Sequence, residues 1–326
     1  MSIRRHKMLD GICLHKFRLR ATLTLTYRPT CPEAARMSQT PNRFAIDKTL
    51  AVEGEVRLHY RDWGGKGWPV LLLHGLSSTA HIWDLVAPLL VEEARIIALD
   101  LRGHGLSDKP DGDYSYDTIG PDVFNVIAAL EMDRPILVGH SYGANVGLWV
   151  AAQDADLLGG LIMVDGGVMD MSDMTWEQTL ERLSPPRISG TPLEEFRAML
   201  QERAPQGLIS PAVEAAILAN FEVDDENRIN RRLPREFHLR ILRAMWETRL
   251  EPLYAEVACP VLLLPCRRLD NDDPDMIKRK QEGVLLAEAR IEDVETVWLD
   301  NTVHDAPLQR PHKLAEEITR FLRERI

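Results

Sequence analysis

Apolar residues in this chain form short runs that alternate with longer stretches of helical spacing. Short apolar runs between turn residues are typical of strands buried on both faces of a parallel sheet. We predict strands at residues 70–73, 95–99, 135–138, 158–164, 261–264 and 295–299, and helices at 80–93, 116–130, 143–152, 275–289 and 311–326. Strands that alternate with helices in this way predict an α/β fold with a mostly parallel, doubly wound sheet.

Residues 1–36 differ from the rest in charge. They hold eight Lys or Arg and two Asp or Glu, whereas the whole chain has a net charge of −11. The segment lacks the apolar centre and small-residue cleavage site of a signal peptide. We therefore expect residues 1–44 to be a basic, disordered extension that adds nothing to the fold.

A second departure from the strand–helix rhythm lies at residues 168–256. This stretch has no buried strand pattern but has four helical ones, at 175–183, 192–204, 210–221 and 236–247. Because it follows one predicted strand and precedes another, it indicates a helical lid inserted into an α/β core. The core then comprises residues 45–167 and 257–326.

Residues 139–143 read Gly-His-Ser-Tyr-Gly and lie between a predicted strand and a helix rich in small residues. In that position the motif is typical of a nucleophile elbow, a tight turn that exposes the serine hydroxyl at the edge of a sheet. By itself the motif also fits an ordinary glycine-rich turn. Ser141 is therefore a candidate nucleophile that needs support from the rest of the chain.

Polar residues follow several of the predicted strands directly. His74, Asp100, Ser141 and Asp165 each come at the carboxyl end of such a strand. In open α/β sheets ligands bind at this edge. We expect these four side chains to lie near one another.

Four motifs occur in a fixed order. They are His-Gly-Leu at 74–76, Asp-Leu-Arg-Gly-His-Gly-Leu-Ser at 100–107, the elbow at 139–143, and His-Asp-Ala-Pro-Leu-Gln-Arg-Pro at 304–311. From about residue 45 to its end the chain resembles the α/β-hydrolase superfamily in these motifs. The resemblance implies an α/β-hydrolase fold and a serine hydrolase.

The resemblance also implies roles for individual residues. A serine hydroxyl becomes a good nucleophile when a base removes its proton, and that base needs a third group to fix its tautomer. The resemblance makes Ser141 the nucleophile and His304 the base. It places the oxyanion hole, the pair of N–H donors for the developing negative charge, at the main chain of Leu76 and Tyr142. The segment 100–107 is expected to be mainly structural.

The acid of the triad is less clear from the sequence. The family usually supplies it after the strand predicted at 261–264, three residues past a glycine. Here Cys266 stands at the glycine position and Leu269 three residues on, so we assign the acid to Asp270, one residue further. Some members use the end of the strand after the elbow helix, which is Asp165. We interpret Asp165 as a turn residue before two glycines.

Two groups of insert residues could contact a substrate. Arginines could bind an anionic group, although a solvated face explains them better; these are Arg228, Arg231, Arg232 and Arg235. Large apolar residues could line a pocket or pack between helices; these are Met169, Met171, Trp176 and Trp246.

Composition and motifs exclude several classes of protein. The acidic charge argues against nucleic-acid binding, and no apolar run reaches the roughly 18 residues of a membrane helix. Four cysteines without metal-ligand spacing indicate reduced thiols in a cytoplasmic protein. There is no phosphate-binding or dinucleotide motif, so we expect no cofactor and a small-molecule substrate. The sequence leaves the oligomeric state open.

The identity of the nucleophile narrows the reaction. Haloalkane dehalogenases and epoxide hydrolases carry Asp at the elbow, so Ser141 disfavours both. We predict hydrolysis of a small carboxylic ester, or a related acyl or lactone substrate, through an acyl-enzyme. A carbon–carbon bond hydrolase, a cofactor-free perhydrolase and a catalytically silent ligand-binding protein on this fold stay open.

Overall fold

The computed structural model describes residues 44–52, 56–171, 174–203, 209–268 and 273–326. The predicted basic extension at 1–44 lies outside the described residues except for Phe44, and Asp270 lies outside them too. In the described part of the chain, none of the helices has the length and apolar character needed to cross a bilayer.

The strands and helices alternate along the core. The strands are β1 (Ile46–Ala51), β2 (Arg57–Gly64), β3 (Trp68–Leu73), β4 (Ala94–Leu99), β5 (Ile136–His140), β6 (Gly160–Val164), β7 (Thr191–Pro192), β8 (Phe221–Val223), β9 (Arg228–Arg231), β10 (Val261–Leu264), β11 (Cys266–Arg267), β12 (Val294–Thr296) and β13 (Leu299–Asp300). The helices are α1 (Ala87–Leu90), α2 (Tyr116–Ala129), α3 (Tyr142–Gln153), α4 (Trp176–Leu183), α5 (Leu193–Arg203), α6 (Pro211–Leu218), α7 (Arg235–Glu247), α8 (Glu251–Tyr254), α9 (Pro274–Arg290), α10 (Ala306–Gln309) and α11 (Pro311–Glu324).

In the described part of the chain, eight strands form the central sheet in the order β1-β2-β4-β3-β5-β6-β10-β12. β2 pairs antiparallel with β1 and β4, and the strands from β4 to β12 run parallel. The predicted α/β fold with its mostly parallel sheet is confirmed. The strands in the middle of this sheet are continuous apolar runs because helices cover both of its faces.

Helices cover the sheet on two sides. Apolar residues of α2, α3, α8 and α9 pack in one core cluster, and those of α1 and α11 in the other. Alternate residues of one strand enter different clusters: in β3, Leu71 and Leu73 face the first and Val70 and Leu72 the second. This two-sided burial is the reason the strands read as continuous apolar runs.

Two predicted elements are split in the structure. Instead of one helix at 80–93 there is a 3₁₀ turn at Ala80–Trp83 and then the short α1, which has a proline in its first turn. Pro88 lacks the N–H that a residue inside a helix would donate, so it fits the first turn of the new helix α1 better than the interior of one long helix. The strand predicted at 295–299 is divided into β12, which pairs with β10, and β13, which pairs with β11.

The segment between β6 and β10 contains the helices α4 to α8 in its described part. It also contains a three-stranded antiparallel sheet in the order β7-β9-β8, which the sequence pattern did not reveal. These strands are two to four residues long and mostly polar, so they are too short to display periodicity. Phe196, Phe221 and Ile229 form a small core of their own beside this sheet.

Candidate active site

Ser141 lies between the last residue of β5 and the first residue of α3. Its main chain has φ 54° and ψ −117°, a conformation that is costly for a residue with a side chain. The turn is tight: a Cβ on Gly139 would lie 2.3 Å from the carbonyl oxygen of Gly143, and one on Gly143 2.5 Å from that of Leu73. Glycine is required at both positions, so this segment has the geometry of a nucleophile elbow.

Three side chains form a hydrogen-bonded chain at this turn. Nε2 of His304 lies 2.9 Å from Oγ of Ser141, and Nδ1 of His304 lies 2.6 Å from Oδ2 of Asp165. A carboxylate accepts hydrogen bonds only, so the proton of the neutral imidazole is on Nδ1 and Nε2 is free to accept the hydroxyl proton. This is the arrangement of a nucleophile, a base and an orienting acid.

The carboxylate on the imidazole belongs to Asp165, whereas the sequence pattern favoured Asp270. Asp270 lies outside the described residues, and the Nδ1 position expected for it is occupied by Asp165. The sheet explains this placement, because β6 is the neighbour of β5 and His140 pairs with Val164. Ser141 and Asp165, the next residue of each strand, therefore lie side by side. The interpretation of Asp165 as a mere turn residue is replaced by this geometry.

The environment of Asp165 stabilises its charged form. Burial acts to raise the pKa of this carboxyl, but hydrogen bonds and positive charge from His304 and Lys280 outweigh it and hold the pKa at about 2. Desolvation by the surrounding protein acts to lower the pKa of His304, but the hydrogen bond and charge of Asp165 raise this pKa above its usual value. The imidazole of His304 is 56% exposed and the carboxylate 3% exposed, so the ring can meet a substrate while its partner stays buried.

A second histidine holds the loop that carries His304. Nε2 of His140 lies 2.8 Å from the main-chain oxygen of His304 and donates to it, and the two rings are 4.9 Å apart. Burial lowers the pKa of His140 to about 4, so its ring stays neutral at ordinary pH. His140, adjacent to Ser141 in sequence, thus holds the main chain of His304 in place.

The two expected oxyanion-hole residues border the same site. Tyr142 is the first residue of α3, and the first N–H groups of a helix have no partner within it. Leu76 and Ser141 line the same cavity. The next residue, Ser77, donates its hydroxyl to Nδ1 of His238 at 2.7 Å. Because His238 belongs to α7, this bond joins the loop after β3 to the insert.

A cavity of about 740 Å³ lies between these residues and the insert. Ser141 and His304 form part of its wall, and the insert contributes many of its apolar residues. Five methionines line it, namely Met169, Met171, Met174, Met245 and Met276. Methionine side chains are flexible and polarizable and adapt to ligands of irregular shape.

The remaining candidates of the insert have structural contacts. Trp176 and Trp246 pack together at 5.8 Å, with the guanidinium of Arg243 within 5 Å of each ring. They do not line the cavity, whereas Met169 and Met171 do. The four insert arginines have partners that do not line the cavity. Arg228 and Arg235 donate to the main-chain oxygens of Gly190 and Pro185. Arg232 forms an ion pair with Glu222, and the guanidinium of Arg231 lies over the ring of Phe221.

The segment 100–107 forms a buried network, in agreement with its expected structural role. The carboxylate of Asp100 accepts hydrogen bonds from the main-chain N–H groups of Ala80 and Leu106 and from Nδ1 of His59. Ser107 donates its hydroxyl to the main-chain oxygen of Asp100. These contacts tie the loops after β3 and β4 together beneath the site.

His74 belongs to the same network. Its Nε2 accepts the main-chain N–H of Leu101 at 3.0 Å, and its Nδ1 donates to the main-chain oxygen of Gly75 at 2.8 Å. Burial lowers the pKa of this fully buried ring. Of the four strand-end residues, Ser141 and Asp165 are therefore joined through His304, whereas His74 and Asp100 hold the neighbouring loops.

Two relatives of known name match about a third of this chain. N-formylmaleamate deformylase from Pseudomonas putida is 41% identical over 111 residues, which are 34% of this chain and 41% of that enzyme. Soluble epoxide hydrolase from a Corynebacterium species is 36% identical over 109 residues, 33% of this chain and 38% of that enzyme. The aligned segments span less than half of each relative's length.

The match to solved structures is longer. The crystal structure of E-2-(acetamidomethylene)succinate hydrolase superposes with a TM-score of 0.69 and 24% identity, over 86% of this chain and 99% of that one. This likeness shows a shared fold.

A model of the alpha/beta hydrolase family matches residues 70–317, a range that contains all four sequence motifs. The chain therefore belongs to the alpha/beta hydrolase family.

Proposed function

We propose that this protein is a serine hydrolase that cleaves a small carboxylic ester, or a related acyl or lactone substrate, through an acyl-enzyme. The supporting observation is the hydrogen-bonded chain from Oγ of Ser141 through His304 to Asp165, at the wall of a cavity large enough for a small molecule. Family membership supports hydrolysis, and the acyl substrate is inferred from the nucleophile.

The chemistry proceeds in two stages. Nε2 of His304 accepts the proton of Ser141 as Oγ attacks the carbonyl carbon, and the main-chain N–H groups of Leu76 and Tyr142 stabilise the oxyanion. His304 then donates this proton to the leaving alcohol, which departs as the acyl-enzyme forms. In the second stage His304 accepts a proton from water, the hydroxide attacks the acyl carbon, and Ser141 leaves with that proton. Asp165 orients the ring and offsets the imidazolium charge.

The insert at 168–256 is proposed to select the substrate. It supplies much of the apolar wall above Ser141 and contacts the loop after β3 through Ser77 and His238. An apolar acyl or alcohol group would replace water against the methionine side chains, which favours binding by about 25 cal/mol per Å² of buried apolar surface. The insert therefore determines which ester fits, while the sheet edge supplies the reacting groups.

Covalent labelling tests the proposal. A fluorophosphonate probe should label the wild-type protein at Ser141, and the Ser141→Ala variant should stay unlabelled with an unchanged melting temperature. A panel of p-nitrophenyl esters of increasing acyl length would then define the substrate class. Loss of the nucleophile should lower kcat by about 10⁴–10⁶. Ester hydrolysis by Ser141→Ala at the wild-type rate would refute the assignment.

A further inference from the structure

Lys280 binds the carboxylate that orients His304. Its Nζ donates to Oδ1 of Asp165 at 2.6 Å and to the main-chain oxygen of Cys266 at 2.8 Å. Oδ1 also accepts the main-chain N–H of Cys266 at 2.8 Å, whereas Oδ2 accepts Nδ1 of His304. The lysine and aspartate side chains are 16% and 3% exposed. Asp165 therefore holds two cationic partners, one on each oxygen, whenever His304 is protonated.

The approach of α9 makes this contact possible. Gly283 of this helix lies directly against the main chain of Val168, where a Cβ would be 1.6 Å from the carbonyl oxygen. Lys280 lies three residues earlier and so on the same face of the helix. A larger residue at 283 would hold the helix away and withdraw the lysine from Asp165. Close packing of α9 on the loop after β6 thus brings a charge to the carboxylate of Asp165, 115 residues away in sequence.

We propose that Lys280 is a positioning residue that sets the pH range in which His304 acts as a base, through its ion pair with Asp165. The inference rests on the proposed function. A carboxylate stabilises the imidazolium form of its partner, and a second cation on the same carboxylate opposes that effect. Without Lys280 the proton would stay on His304 to higher pH, where the ring cannot accept the proton of Ser141.

The other titratable groups near His304 do not replace this charge. The ring of His140, in β5, lies 4.9 Å from the ring of His304 in a tilted arrangement and stays neutral. Asp305, the residue after His304, acts to raise the pKa of His304. Lys280 acts to lower that pKa, and it donates directly to the triad carboxylate. Farther round the cavity lie Arg182, Arg268, Arg279, Asp170, Asp273 and Glu282.

The test compares the pH dependence of labelling in wild type, in two variants of Lys280 and in one control variant. The rate of fluorophosphonate labelling of Ser141 is measured from pH 5 to 10 for each protein in the full chain, and the variants of Lys280 are Lys280→Met and Lys280→Arg. We expect the apparent pKa of labelling to rise by about one unit in Lys280→Met, as for loss of one nearby charge. Lys280→Arg keeps the charge and should stay near wild type. Lys278→Met is the matched control, because Lys278 lies on the same helix but pairs with Glu282.

The outcomes distinguish an electrostatic role of Lys280 from a purely structural one. A lower labelling rate at every pH with an unchanged apparent pKa, or no change at all, would overturn the inference. If Lys280→Met does not fold, Lys280→Gln takes its place. If wild type is not labelled at any pH the proposed function fails, and an NMR titration of the His304 ring in wild type and Lys280→Met then decides the inference separately. A raised pKa of His304 in the variant supports it, and an unchanged one refutes it.

Discussion

Oδ2 of Asp165 lies 2.6 Å from Nδ1 of His304, although 139 residues separate the two in sequence. Asp165 follows β6, which is the neighbour of the strand that carries Ser141. The carboxylate that binds His304 thus follows the strand next to β5 rather than β10. Cys266, the first residue of β11, binds the same carboxylate through its main-chain N–H.

The first prediction concerns the acid. Asp165→Asn should lower kcat by about 10²–10⁴ with little change in KM, because the amide stabilises the wrong imidazole tautomer. Asp270→Asn is the matched control and should change kcat less than about tenfold. Steady-state kinetics on one p-nitrophenyl ester checks both variants. A larger loss of kcat in Asp270→Asn than in Asp165→Asn would identify Asp270 as the acid instead.

The same substitution should also affect stability. The uncharged amide in Asp165→Asn would leave the partly buried ammonium of Lys280 without its ion-pair partner, so the free energy of unfolding should fall by about 3 kcal/mol. Urea unfolding of this variant measures the loss. The double variant Asp165→Asn with Lys280→Met should recover part of it, and an additive loss would contradict the ion pair.

The second prediction concerns pH. The pKa of His304 is raised above its usual value of 6.5, because the hydrogen bond and charge of Asp165 together outweigh the desolvation of the ring by the surrounding protein. His304 must be neutral to accept the proton of Ser141, so kcat/KM should rise with pH through an apparent pKa above 6.5 and then reach a plateau. A pH–rate profile measures it. A limb that is complete below about pH 6 would contradict the assigned base.

The third prediction concerns the cavity. Met169 lines it and is half-buried, so Met169→Trp should fill part of the space above Ser141. We expect kcat/KM for the longest acyl esters to fall about tenfold or more relative to the acetyl ester. Met169→Leu keeps the volume and should preserve the ranking. Equal losses on all esters with Met169→Trp would show damage to the fold instead of selection.

The fourth prediction concerns the insert. Nε1 of Trp246 donates to the main-chain oxygen of Met174 at 2.8 Å. Trp246→Phe keeps an aromatic ring beside Arg243 but loses this bond, which should lower the free energy of unfolding by about 1 kcal/mol. Trp176→Phe is the comparison, since it changes a ring in the same cluster without removing that bond. Thermal unfolding measures both, and a larger loss for Trp176→Phe would contradict the role of the bond.

The sequence alone determined the order of strands and helices and indicated Ser141 as the candidate nucleophile. The apolar runs of β3 to β6 can be read directly because both faces of a parallel strand are buried. Ser141 and His304 were predicted from local motifs, and the elbow depends on glycines that are close together in the chain. The insert was recognised as helical, but its short, polar strands have too few residues to show a period.

Only the tertiary structure decided which carboxylate meets His304. Asp165 and Asp270 both follow core strands, and a strand end does not indicate its distance from residues elsewhere in the chain. That distance depends on which strands are neighbours in the sheet, and β6 lies directly beside β5. Lys280 gave no local signal either, because its contact depends on how closely α9 packs against the loop after β6. Strand order and helix packing are properties of the whole fold, so only the tertiary structure shows that Asp165 and Lys280 lie beside His304.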